Sequence, residues 1–244
     1  MTDVLLRIEA LSKRFGGVLA SDAISLEVPA GELHAIIGPN GAGKTTLIGQ
    51  LAGEIAPDGG RIEFAKADIT RLPAWRRSRL GLARSFQITS LFPDFSALDN
   101  VALAVQAHAG HSFRFWRDAR SEPGLREPAR AALARLAIAE RADMLVSRLS
   151  HGELATRPRM LLLDEPMAGM GPDESARMVA TLRELKGELT ILLIEHDMEA
   201  VFALADRITV LVYGRIIASG APEAIRADEK VREAYLGEQE AGNA

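Results

Sequence analysis

The segment LHAIIGPNGAGKTTLIGQL, residues 33 to 51, constrains the fold of this 244-residue chain more than any other. A short apolar, β-capable run, His34 to Ile37, leads directly into GPNGAGKTT, after which Leu47, Ile48 and Leu51 recur at helical spacing. The spacing GxxxxGK followed by a hydroxyl residue, set between a strand and a helix, is that of a loop that wraps phosphate. Gly38, Gly41 and Gly43 let the backbone turn tightly and aim its N–H groups inward, where the following helix adds the positive end of its dipole. Pro39, Asn40, Ala42 and Thr46 complete the cradle, Lys44 is placed to neutralise β and γ phosphate charge, and the Thr45 hydroxyl to ligate Mg2+. A glycine-rich turn without a ligand is the bland alternative. The filled fixed positions in their strand, loop and helix setting speak against it.

MLLLDEP, Met160 to Pro166, reads as a central parallel strand, apolar on both faces, whose C-terminal end delivers Asp164 and Glu165 toward a nucleotide crevice. Asp164 would hold Mg2+, directly or through water. Glu165 would orient and polarise the attacking water, since phosphoryl transfer asks mainly for positioning and charge stabilisation. A pair of solvated acids capping a strand is the alternative that these residues alone leave open. Downstream, TILLIEHDM places His196 just beyond a second buried strand, Ile191 to Ile194. A lone histidine there is more often structural than catalytic, yet beside a phosphate loop it could contact the γ phosphate.

Composition narrows the function classes. Hydrophobic residues at 48% and charged residues at 25% describe an ordinary globular chain, long enough for one large domain or two intimate subdomains. The formal net charge of -4 gives no whole-chain attraction to nucleic acid or anionic lipid. There is no cysteine, which removes disulfides, thiolate metal sites and cysteine nucleophiles. The start, MTDVLLRIEA, carries acids and lacks a long apolar core, and the runs ILLI and ITVLV are too short to span a bilayer, so a soluble cytoplasmic chain is the expectation.

Taken in order, these motifs resemble the ATP-binding subunit of an ATP-binding cassette (ABC) transporter over nearly the whole length. GPNGAGKTT resembles the Walker A loop, LLLDEP the Walker B strand with Glu165 as catalytic carboxylate, and His196 the switch histidine. Gln87, in ARSFQITSLFP, falls where the family has the glutamine that senses Mg2+ and the membrane partner. Phe15, in LSKRFGG, sits where an aromatic ring stacks on adenine; a core aromatic and a polar loop residue are the plain alternatives for Phe15 and Gln87. LSHGE resembles the LSGGQ signature with His151 and Glu153 as substitutions, and AGMGPDE resembles the D-loop region. The resemblance implies that Ser150 and Gly152 serve the opposite subunit, so that two chains sandwich two ATP molecules head to tail. It also implies the fold: an α/β P-loop NTPase core with a mostly parallel sheet and flanking helices, an antiparallel β layer, and a helical subdomain. Approximate limits are 1–88 and 154–244 for the core with its β layer and 89–153 for the helical subdomain with the signature, within one cassette spanning 1–244.

Residues from about Val4 to Gly31, and RIEF near Arg61, alternate in short strand-like stretches that suit the antiparallel layer. From about Thr89 to Ser150 the pattern is helical, broken at Pro93, near Gly110 and at Pro123. Arg71, Arg76, Arg77, Arg79 and Arg84 cluster before Gln87 and read as a solvated helix face. FPDFSALDNV, FRFWRDARSEPGLREPAR, MAGMGPDES and the tail APEAIRADEKVREAYLGE resemble importer subunits for branched-chain amino acids and related polar substrates. That resemblance implies ATP and Mg2+ as ligands, a second ATPase subunit (a homodimer or a paired sister cassette) and transmembrane permease subunits as partners, no nucleic acid, and a place on the inner membrane face. Leu91, Phe92 and Phe95 either line a groove for the permease or pack a core. A soluble ATPase in an assembly role, such as iron-sulfur cluster assembly, is the competing class.

One junction departs from the pattern. LSHGE runs straight into LATRP and the Walker B strand, leaving the family's signature helix short by roughly nine residues, or about 13 Å at 1.5 Å per residue. Pro158 bars residues 154–158 from supplying that helix. With every other nucleotide motif intact, the expectation is that residues are skipped at Glu153–Leu154; a true shortening points instead to a subunit that binds nucleotide without hydrolysing it.

Overall fold

A computed structural model describes residues 3–84, 95–109, 122–135, 139–144 and 158–234. The chain falls into two compact units, residues 1–87 with 158–244, and residues 88–157.

The first unit holds two sheets. In one, β1 (Val4–Phe15) pairs antiparallel with β2 (Val18–Pro29) and with β4 (Gly59–Phe64), and β5 (Ala67–Asp68) closes the order β2-β1-β4-β5. The short strand-like stretches of the sequence are therefore two twelve-residue strands. Their alternation is interrupted where Ala10 and Ala23 take left-handed φ of 46° and 51° and the register shifts. Each bulge flips the inward face by one residue and hides the length of the strand from a period-two reading.

The second sheet has the order β10-β9-β3-β8-β7-β6, from β3 (Leu33–Ile37), β6 (Leu82–Arg84), β7 (Met160–Asp164), β8 (Thr190–Ile194), β9 (Arg207–Val212) and β10 (Arg215–Gly220). Five of these strands run parallel and β10 joins antiparallel at one edge. All five residues of β3, β7 and β8 are buried, as strands covered on both faces require. His34 lies fully buried in β3 because both ring nitrogens are satisfied, Nδ1 by Glu32 at 2.7 Å and Nε2 by Thr209 at 2.8 Å. Helix α1 (Lys44–Ala52) follows β3 and buries Leu47, Ile48 and Leu51 in the core shared with Leu162, Leu192 and Ile194. Around the sheet follow α2 (Ala74–Arg79), α5 (Pro172–Leu185), α6 (Met198–Leu204) and α7 (Pro222–Ala227).

The described part of the second unit is helical: α3 (Ala97–Ala109), α4 (Pro123–Arg135) and a short 3-10 turn, Ala139–Arg141. Pro123 opens α4, where its missing N–H costs nothing. Leu98, Val101, Leu125, Ala129 and Leu133 form its own small core, and Arg126 Nη1 ties α4 to Asp99 of α3 at 2.8 Å. Phe95 is half-buried in this unit.

The arginine cluster divides. Arg71, Arg76 and Arg79 are exposed, as a solvated face predicts, but Arg77 is 2% exposed and Arg84 ends β6 in ion pairs. The guanidinium of Arg77 donates to the carbonyls of Gln50, Leu51, Thr70 and Leu72 at 2.7 to 3.0 Å. It thereby pairs the Leu51 carbonyl at the end of α1 and adds a second donor to that of Gln50, which also accepts from the Gly53 N–H. That demand lies 26 and 27 residues upstream, beyond the reach of a local charge count.

Candidate functional site

Strand register sets the geometry. Ile36 of β3 and Asp164 of β7 both pair with Ile194 of β8, so three parallel strands end level with β8 in the middle. Their continuations carry the glycine loop, Asp164 with Glu165, and Glu195 with His196. Ligands of open α/β sheets bind beyond such C-terminal strand ends.

The loop is pressed against neighbouring backbone. A Cβ on Gly38 would lie 2.0 Å from the Leu211 carbonyl oxygen of β9, and one on Gly43 would lie 2.2 Å from that of Ala20 in β2. No side chain fits at either position, and Gly43 caps α1 with a left-handed φ of 101°. Lys44 folds back so that Nζ donates to the Gly38 and Pro39 carbonyls at 2.5 and 2.9 Å. Thr45, Asn40 and Gly41 are exposed and Thr46 is half-buried.

The acids are not solvated strand ends. Asp164 is 8% exposed, and its Oδ2 accepts from Arg84 Nη2 at 2.9 Å. Glu165 takes a left-handed φ of 51°, an uncommon conformation for a side-chain-bearing residue and one found where a site holds strain. This turn brings its Oε1 to 2.6 Å from His196 Nε2, with the histidine side chain 47% and the glutamate 29% exposed. Glu165 and His196 lie 31 residues apart in sequence and form one hydrogen-bonded pair.

Sequence reading missed the residue beneath that pair. Glu195, 5% exposed, accepts from the backbone N–H of Met167 and of His196, each at 2.8 Å. One buried carboxylate thus fixes both the turn after β7 and the loop after β8. The available signal was a lone acid closing the apolar run TILLI.

Phe15 lies 48% exposed at the end of β1, opposite Val18 across the Gly16–Gly17 turn, which rules out the core reading. Lys13 Nζ stands 5.3 Å from the ring centroid. Hydrogen bonds from Lys13 and from the Arg14 N–H hold the Asp58 carboxyl below the usual carboxylate range and tether this strand end. Gln87, Leu91, Phe92, Ser150, His151, Gly152 and Glu153 lie outside the described residues.

Thr45 and Asp164 offer hard oxygen donors of the kind Mg2+ takes. Among the described residues no cluster of three or more His, Cys, Asp or Glu could hold a metal alone. A magnesium ion there would complete its shell with phosphate oxygens and water, its usual habit, and the donor set fits it. No helix among the described residues is long and apolar enough to cross a membrane.

The family model described as ABC transporter matches residues 21–168, and one described as branched-chain amino acid ATP-binding cassette transporter matches residues 215–241. The chain is 37% identical over 254 residues to the high-affinity branched-chain amino acid transport ATP-binding protein BraF of Pseudomonas aeruginosa, covering 98% of this chain and 100% of that protein. It is 36% identical over 259 residues to the LivG protein of the same description from Escherichia coli, with the same coverage. Among solved structures it matches a nucleotide-free ATP-binding cassette from an ABC transporter, with a TM-score of 0.83, 29% identity and coverage of 96% and 99%. It also matches the ADP conformation of an ATP-binding cassette of an ABC transporter, with a TM-score of 0.82, 30% identity and coverage of 97% and 100%. Both relatives' aligned lengths exceed the 244 residues of this chain, so the relatives carry residues that it lacks. Glu153 is followed directly by Leu154 in the full sequence, which corrects the expectation of skipped residues: the shortening belongs to the chain itself. A family match over residues 21–168 and full-length likeness to branched-chain amino acid transport subunits establish that the chain belongs to the ABC transporter family, among its ATP-binding subunits.

Proposed function

We propose that this chain is the ATP-hydrolysing motor subunit of an ABC importer for branched-chain amino acids or related polar substrates. The observation that carries this reading is the meeting of the glycine loop, the Asp164–Glu165 turn and His196 at the level ends of β3, β7 and β8. The loop's N–H groups and Lys44 bind the ATP phosphates, and Phe15 stacks on the base. Thr45 and Asp164, with Gln87, hold Mg2+, which when bound neutralises phosphate charge. Glu165 orients a water and takes its proton as the water oxygen bonds to the γ phosphorus and the bond to the ADP oxygen breaks. His196, hydrogen-bonded to Glu165, keeps that carboxylate aimed.

In the same proposal Ser150 and Gly152, in a helical subdomain near 89–153, close on ATP held by a second cassette. Leu91, Phe92 and Phe95 receive the permease, which keeps the subunit on the inner membrane face. ATP then glues the two cassettes, and hydrolysis releases them. The test is reconstitution of the chain with its permease subunits in vesicles, with ATP-dependent uptake of labelled leucine, isoleucine and valine as readout. Uptake supports the reading; failure to co-purify with any multi-span protein would point to the assembly role. The direct Glu153–Leu154 junction favours a second reading, nucleotide binding without hydrolysis, which turnover assays on the purified chain separate.

A further inference from the structure

We propose that Arg84 is a positioning residue that competes with the divalent cation for Asp164, with Glu54 as the second carboxylate that receives its guanidinium. This rests on the proposed reading of Asp164 as a Mg2+ ligand. Arg84 ends β6 beside β7, in register with Leu162. Its Nη2 reaches Asp164 Oδ2 at 2.9 Å while its Nη1 bonds Glu54, which follows the Gly53 cap of α1. The side chains of Arg84 and Asp164 are 15% and 10% exposed, so these two charges meet with little water around them, while Glu54, its side chain 35% exposed, stands on the solvent side of the guanidinium.

One cation between two carboxylates has two ways of staying paired. A planar fork with five donors spans both acids at once, which a point-charge ammonium cannot do. Two cations on one carboxylate repel each other, so Arg84 weakens Asp164 as a ligand for a divalent cation arriving alone. A cation carried on nucleotide phosphates brings its own counter-charge, and the guanidinium then shifts its pairing toward Glu54 without losing a partner. Arg84 thereby makes metal binding at Asp164 conditional on nucleotide. Glu54, at the far end of the helix that begins at the phosphate loop, sets how readily Arg84 yields.

The test is the Mg2+ dependence of binding of a non-hydrolysable ATP analogue, followed by calorimetry, with turnover measured alongside. Arg84→Gln removes the competitor and lowers the half-saturating Mg2+ about fivefold, the worth of a partly shielded ion pair. Glu54→Gln removes the alternative partner, leaves Arg84 on Asp164, and raises it by about the same factor. Arg84→Lys keeps the charge but cannot span both acids, so it recovers only part of the wild-type value. Shifts in the same direction, as a merely structural role would give, or no shift in either variant, overturn the proposal. Should Arg84→Gln fail to fold, Glu54→Gln decides: a rise supports competition, and no change or a fall refutes it. Asp164→Asn separates the two layers. An unchanged Mg2+ dependence there sinks the reading of Asp164 itself, whereas a changed one beside silent Arg84 and Glu54 variants sinks only the competition.

Discussion

Replacing Arg77 tests whether a buried guanidinium, rather than helix propensity, holds the phosphate-loop helix in place. Arg77 is 2% exposed and makes four hydrogen bonds at 2.7 to 3.0 Å to carbonyls of residues 50, 51, 70 and 72. Arg77→Met keeps the bulk and leaves those acceptors facing an apolar tip. Hydrogen bonds to a charged group contribute about 1.5–3 kcal/mol each, but relaxation and entering water recover part of that, so about 4 kcal/mol is the expected loss. For a chain of this size that lowers Tm by about 8 to 16 °C, read by circular dichroism. Arg77→Lys keeps the charge but not the fork and should cost about half as much. Burial pushes Arg77 down to about 10, so it remains charged near neutral pH. Because its folded value is lowered, the unfolded chain holds the proton more tightly, and any linked gain in stability appears only as pH rises past about 10. The Arg77→Met deficit should therefore be flat from roughly pH 6 to 8. A Tm fall of less than about 3 °C would refute the claim that Arg77 caps α1.

Three further substitutions probe the site. Lys44→Ala should abolish ATP binding by calorimetry, since the phosphates would face the loop without their main cation; unchanged affinity at physiological Mg2+ would remove Lys44 from its role. Phe15→Ala should weaken ATP and GTP alike by roughly 1 to 3 kcal/mol, because a stacked ring reads a π face and not a base edge, and a loss confined to ATP would reveal an unrecognised reader. Glu195→Gln presents an amide N–H to one of the two backbone donors, so it should lower stability by about 2 kcal/mol and slow turnover without changing ATP affinity; a wild-type Tm would show that the clamp contributes nothing.

What the sequence made legible was local. The β3, glycine loop and α1 unit could be read because its residues are neighbours and its spacing is dictated by phosphate, and β7 and β8 could be read because doubly covered strands are continuous apolar runs. The misread parts depend on distant partners. Arg77 answers α1, Arg84 answers Asp164 some 80 residues on, and Glu195 answers Met167 from the next loop. A charge count treats such groups as solvated because it cannot see which backbone or acid the fold brings to them. The length of β1 and β2 was concealed for a different reason, since left-handed φ at Ala10 and Ala23 breaks the alternation that a strand reading follows.

The most direct measurement is steady-state ATP turnover by the purified chain with Mg2+, wild type beside Glu165→Gln. An active Glu165 predicts measurable turnover in the wild type and a loss of at least about a hundredfold in the amide variant, the scale of a positioned general base, with ATP affinity kept and a nucleotide-bound dimer accumulating. Wild-type turnover in Glu165→Gln would contradict the assignment of the carboxylate, and a wild type that binds ATP tightly but never releases phosphate, even with its permease present, would contradict the motor itself.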